Sequence, residues 1–253
     1  MKRKLTLLLT AIAMAGALPA MAQSDAPAAV SVQDSEKAEL LQTFASLYLA
    51  EDIAVQRAAK VHDQQFLKEV SADAASMAAE KQHPGMLDAA MTASREATVT
   101  GLREVVPTIK NAIVAYADPL FTADDLKVIN AFYMSNEGQR LLLGTLDNVN
   151  SDKLAEGIKK RIAEGEENAP LQQDEFMAEA TVAAIKAMDA NSMAAVTKFS
   201  ATKAGQKFTA NAYGLVTVIT KSMNEAMQSI TPKVQAATRT AVQKFLTEKA
   251  AAK

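Results

Sequence analysis

Thr122 to Leu142, TADDLKVINAFYMSNEGQRLL, is the stretch that most restricts what this chain can fold into. Thr122 followed by Asp125 makes a capping-box pattern, with a shorter acid than usual, ahead of an apolar-periodic run. Leu126, Ile129 and Phe132/Tyr133 then fall on one helical face. Ser135 and Asn136 can restart a helix. Gly138 permits close backbone packing where two helices meet, and Gln139, Arg140 and Leu141 begin the next helix or continue the first after a kink.

The pattern returns 67 residues later. Met193, Val196, Phe199, Thr202, Gly205, Gln206, Lys207 and Phe208 stand where Leu126, Ile129, Phe132, Ser135, Gly138, Gln139, Arg140 and Leu141 stood. Apolar sites, a hydroxyl, a glycine and a Gln-plus-basic pair recur together, which favours a duplicated helical unit over chance. The correspondence fades outside these windows, so the expectation is two related units and not a solenoid.

The first copy resembles the segment that marks the DUF2059 family, an all-helical bacterial domain of unknown function. Phe121, Thr122, Asp125, Leu126, Phe132, Tyr133, Ser135 and Gly138 carry the likeness. Asp125 stands where a Glu is more usual, and the second copy has Ser200 in the Tyr133 position. The resemblance implies an exported helical protein, and it brings no catalytic residues with it.

Lys2, Arg3 and Lys4, the apolar run Leu5 to Leu18, and Ala20-Met21-Ala22 form the three parts of a secretory signal peptide over residues 1–22. The chain has no cysteine, so it carries neither a lipid attachment site of that type nor a disulfide, and its core alone must hold it together. A Gram-negative periplasm is the expected destination. Net charge is -2, and -5 without the three basic signal residues. With 49% apolar residues, many of them alanine, no Trp and seven Pro, the composition favours closely packed helices. The expected class is all-α, a multi-helix bundle with two related helical units.

Residues 23–35 read as a flexible leader. A helix from Glu36 buries Leu40, Leu41, Phe44, Leu47 and Tyr48, and Phe66, Leu67 and Val70 form a further stripe. His83-Pro84-Gly85 is a stop. A long helix follows from Met86 to about Val106, where Pro107 starts a new segment or kinks the old one. Ser151 is the expected cap of the next helix, and Asn191 or Ser192 opens the second copy. Thr231-Pro232 reads as a cap followed by the first helical position. Gly165 to Pro170 divides an N-terminal unit, 36–165, from a C-terminal unit, 166–253.

Catalytic signatures are not found. His62 and His83 are the only histidines, neither in a metal-ligand spacing, and no nucleophile elbow, phosphate loop or dinucleotide fingerprint occurs. His62-Asp63 reads as a solvated helix pair. The carboxylate pairs Glu51/Asp52, Asp124/Asp125 and Glu166/Glu167 are adjacent in sequence and read as wet faces. The twelve methionines suit core filling better than a copper site. No catalytic residue, metal or cofactor is assigned. The motif residues Thr122, Asp125, Phe132, Tyr133, Ser135, Gly138, Gln139, Phe199, Thr202, Gly205 and Gln206 are read as structural. The Gln-plus-basic pairs are expected to serve the fold, with a repeated ligand contact as the sharper alternative.

The reading of function is an exported, non-enzymatic helical protein that binds an envelope protein or a hydrophobic small ligand, with a homodimer also open. A hydrolase with carboxylates across an inter-helix cleft, or a purely structural envelope or stress protein, are the alternatives. Glu96, Asp118 and Tyr133 are the polar residues nearest the repeated motif, without assigned roles. The acidic mature chain argues against nucleic acid. No mature segment has the apolar length of a transmembrane helix. Surface contact with a membrane through Lys233, Arg239, Lys244 and Lys249 stays open, although a polar bundle face is the preferred reading.

Overall fold

The computed structural model describes residues 32–166 and 169–251; the expected signal peptide and most of the expected leader lie outside them. Among the described residues there are ten helices and no strands, which makes the protein an all-α bundle. None of these helices is long and apolar enough to cross a membrane.

Two long helices form the axis, α4 (Met86–Ala117) and α10 (Lys203–Ala251). At 1.5 Å per residue α10 spans about 74 Å. They run antiparallel: Phe245 lies beside Gly85, Ile230 against Gly101, and Gly214 against Tyr116. Small residues set the approach. Ala90, Ser94, Thr98 and Gly101 make a buried stripe on α4, spaced to lie along one face. The Tyr116 hydroxyl fills the notch at Gly214 and donates to the Asn211 carbonyl at 3.0 Å.

Around this axis, α2 (Glu51–Ala72) lies antiparallel to α4, with His62 on Ser94, and Phe66 and Val70 in one cluster with Ala90. The helix α1 (Val32–Tyr48) packs on both α4 and α5 (Ala123–Met134). Its residues Leu41, Phe44, Ala45 and the following Leu49 join Ile109, Ile113, Phe121, Leu126, Ile129 and Phe208 in the main core. The short α3 (Ala74–Gln82) bridges to α4. Farther along, α6 (Asn136–Asn148) packs on α8 (Gln173–Ala187) and α9 (Ala190–Ser200). The remaining helix, α7 (Ser151–Ala163), closes a smaller cluster of Leu154, Ile158, Ala169 and Leu171.

Several local expectations change. Val32 to Ser35 belong to α1 and not to a leader. Leu67 is 55% exposed, because the buried edge of α2 runs through Val55, Ala59, His62, Phe66 and Val70 instead. Both Pro107 and Pro232 sit inside continuous helices, so Thr231 caps nothing. Each proline removes one ladder hydrogen bond. Buried neighbours, Val106 and Ile109 on α4 and Ile230 and Val234 on α10, hold the flanking turns in place. The cap of α7 is Asn150, whose Oδ1 accepts from Lys153 N at 3.0 Å, and Asp189 caps α9 through Ser192 N at 2.7 Å.

Gly165 adopts a positive φ of 104° at the end of α7, the turn read from the sequence as a boundary. The chain beyond it returns to the first half, since α10 lies along the length of α4. Asn224 of α10 also fixes the connecting segment before α8, accepting from Leu171 N at 3.1 Å.

Candidate functional site

The repeated motif builds two helix junctions with the same hydrogen bonds. At the first, Thr122 and Asp125 form a complete capping box for α5, Thr122 Oγ1 accepting from Asp125 N and Asp125 Oδ2 from Thr122 N. Ser135 Oγ then donates to the Phe132 carbonyl at 2.6 Å and accepts from Gly138 N at 3.1 Å. At the second, Thr202 Oγ1 donates to the Phe199 carbonyl at 2.7 Å and accepts from Gly205 N at 2.9 Å. A methyl group on either glycine would overlap that carbonyl, which explains the glycine at both.

The two junctions face each other. The rings of Phe132 and Phe199 stack at 4.3 Å with 7° between their planes. The basic residues that follow the glycines are exchanged: Arg140 pairs with Asp189 at the start of α9, and Lys207 pairs with Asp125 at the start of α5 at 2.7 Å. Burial would raise the Asp125 carboxyl, but the Lys207 ammonium and the Thr122 hydrogen bonds outweigh it and hold it below the usual range. Ser192 N–H, the Ser192 side chain and then Arg140 bring Asp189 down to about 2. Gln139 Nε2 donates to the Tyr133 carbonyl at 2.6 Å, while Gln206 is exposed. Tyr133 and Tyr48 lie at 5.3 Å beside Phe208, and burial pushes both phenols up, Tyr48 the further. Apart from exposed Gln206, these groups pack or pair within the bundle. None of them lines the groove described next.

An opening lies between α2 and α4. A groove of about 490 Å³ is lined by Val55, Ala59 and Val99, with Gln56, Lys60, Asp63, Gln64 and Arg95 around them. The apolar three are buried or half-buried, and Gln56, Lys60, Gln64 and Arg95 are exposed. Apolar floor and charged rim therefore follow from helical periodicity on two facing helices.

Behind the groove is a histidine that the sequence reading placed in solvent. His62 is 2% exposed, its ring stacked on Phe66 at 5.9 Å. Nδ1 lies 3.2 Å from Asp63 Oδ1 and Nε2 2.9 Å from Ser94 Oγ, while Asp63 Oδ2 meets Arg95 at 3.5 Å. A carboxylate oxygen only accepts, so Nδ1 carries the proton and Nε2 accepts from the Ser94 hydroxyl. Burial lowers the His62 pKa, and the hydrogen bond to Asp63 offsets part of that shift.

The order serine, histidine, aspartate matches the hydrogen-bond chain of an acyl-transfer triad. Its placement does not. Ser94 has no exposed surface and sits in the middle of α4, with its hydroxyl also 3.0 Å from the Met91 carbonyl. No substrate carbonyl can reach that oxygen without parting α2 from α4. The cluster is a buried polar link between two helices, and its outer members, Asp63 and Arg95, form part of the groove wall.

The sequence signal for this site was the spacing: His62, Phe66 and Val70 recur every fourth residue, and Ser94 lies on the Ala90–Gly101 stripe. Among the described residues no group of three His, Asp or Glu is placed to hold a metal ion. On the C-terminal helix, Lys233 pairs with Glu104, Lys244 with Glu248, and Lys249 donates to the Pro84 carbonyl over the Phe245 ring. Comparison with protein-family models, curated proteins and solved structures finds no match.

Proposed function

We propose that this protein is an exported, non-enzymatic helical module that binds an extended or helical segment of an envelope protein along the α2–α4 groove. The observation that carries the reading is the groove itself, in which buried Val55 and Ala59 lie beside Lys60, Asp63, Gln64 and Arg95. Apolar floor with charged rim suits an amphipathic peptide segment. A small apolar ligand needs most of its surface enclosed. This groove is open to solvent along its side, which favours a protein segment over that alternative. The hydrolase alternative is weakened by the burial of Ser94, and by Glu69 and Glu179, whose carboxylates are paired with Lys159 and Lys153.

Export rests on residues 1–22, and membership of the DUF2059 family on the Phe121–Gly138 motif. The matching hydrogen bonds at Ser135–Gly138 and Thr202–Gly205 support the view that the two units arose by duplication. A photo-crosslinking residue in place of Gln64, with one in place of exposed Val128 on α5 as control, tests the binding reading in intact cells. A discrete adduct with an envelope protein from position 64 alone, abolished by Arg95→Glu, is expected. The same adducts from both positions, or none from position 64, would refute it.

A further inference from the structure

The angle between α4 and α5 is filled by α1. Leu126 and Ile129 are fully buried there, and Asn130 donates to the Leu40 carbonyl at 2.9 Å. Two ion pairs fix the edges, Lys37 with Asp118 at 2.6 Å and Lys127 with Glu36 at 2.9 Å. The angle between α8 and α9 is built the same way. Asp189 caps α9 where Thr122 caps α5, and α6 packs on α8 and α9 as α10 packs on α4 and α5.

The residues that α1 covers in the first angle have exposed or half-buried counterparts in the second. Met193, at the place of Leu126, is 58% exposed; Val196, at the place of Ile129, is half-buried; Thr197, at the place of Asn130, is exposed. The charged edges are gone as well. Ile185, 64% exposed, stands at the place of Asp118, and Ala194 at the place of Lys127. This face has the shape that seats a helix and lacks the two ion-pair partners, Asp118 and Lys127, that fix the edges of the first angle.

From this we infer that the α8–α9 face is the interface of a symmetric homodimer, in which α8 of one protomer lies in the α8–α9 angle of the other. The occupant follows from the residues. The outward stripe of α8 is Ala178, Thr181, Val182 and Ile185, at helical spacing, with Val182 47% exposed and with exposed Asp174 and Lys186 at its two ends. A two-fold contact sets a surface against itself, so an apolar stripe is self-complementary where a charged one would repel. Exchange of α1 between protomers is disfavoured, because it would bring Glu36 and Lys37 onto Ala194 and Ile185, leaving two charges without partners. The inference stands on helix packing and exposure, and it is independent of the α2–α4 groove.

The chain has no cysteine, so single-cysteine variants give a clean test. Sedimentation of the purified protein at up to about 100 µM should give twice the protomer mass measured for the same sample under denaturing conditions. Ile185→Asp, at an exposed position, should fold normally by circular dichroism and raise the dimer dissociation constant by about tenfold or more. Mild oxidation should link Val182→Cys into a covalent dimer and leave Leu67→Cys, on α2, as monomer. A wild-type monomer throughout this range would overturn the proposal. So would a dimer that survives Ile185→Asp combined with Met193→Asp, or one that links through position 67 and not 182.

Discussion

Replacing Gly138 by alanine tests the junction directly, because helix propensity and tertiary geometry give opposite signs. In an ordinary helix the change gains about 1 kcal/mol. Here the added methyl overlaps the Phe132 carbonyl oxygen, which already accepts from Ser135 N at 3.1 Å and from Ser135 Oγ at 2.6 Å. To clear it the carbonyl must turn away, giving up two hydrogen bonds at about 1 kcal/mol each. The Ser135 cap on Gly138 N shifts with it, about 1 kcal/mol more. The net expectation is a loss of about 2 kcal/mol. For a chain of this size that lowers Tm by about 4–8 °C. Urea midpoints and thermal scans of Gly138→Ala, Gly205→Ala and Ser135→Ala provide the measurement. The two glycine variants should lose similar amounts, and Ser135→Ala, which removes both bonds made by Oγ, a comparable one. A stabilised Gly138→Ala would mean that the carbonyl moves freely, and the steric account of the junction would be wrong.

Three further outcomes are expected. A double-mutant cycle on Phe132→Ala and Phe199→Ala should give a coupling of about 0.5–1.5 kcal/mol in urea unfolding, as expected for stacked rings packed in a core; additive losses would show that the rings do not act on each other. Because burial lowers the His62 pKa, the unfolded chain binds the proton more tightly, so stability should fall as pH drops from about 7 toward 5. His62→Phe, which keeps the stack on Phe66, should remove that slope in urea midpoints taken at the two pH values. Asp189, held at about 2, contributes stability above the unfolded carboxylate pKa and loses it as pH falls from about 4 through 2. Asp189→Asn should flatten the acid-unfolding curve over that window, and an unchanged curve would mean that the cap has no pH linkage.

What the sequence determined by itself was local. The Ser135–Gly138 and Thr202–Gly205 junctions were legible because their hydrogen bonds span three residues and need only a hydroxyl, a glycine and helical spacing. The all-helical class follows from the same source, apolar residues returning every three or four positions. The other features needed neighbours distant in the chain. Thr231-Pro232 has the composition of a helix start, yet Ile230 and Val234 are buried against α2 and α4, and that packing carries α10 straight through. His62 reads as wet beside Asp63, but it is dry because Ser94, thirty-two residues on, supplies its second hydrogen bond across the α2–α4 contact. Likewise the exchange of Arg140 to Asp189 and Lys207 to Asp125 exists only because the junctions fold face to face. Periodicity decides which side of a helix is apolar, and tertiary contact decides which polar group on that side finds a partner and which apolar face is left uncovered.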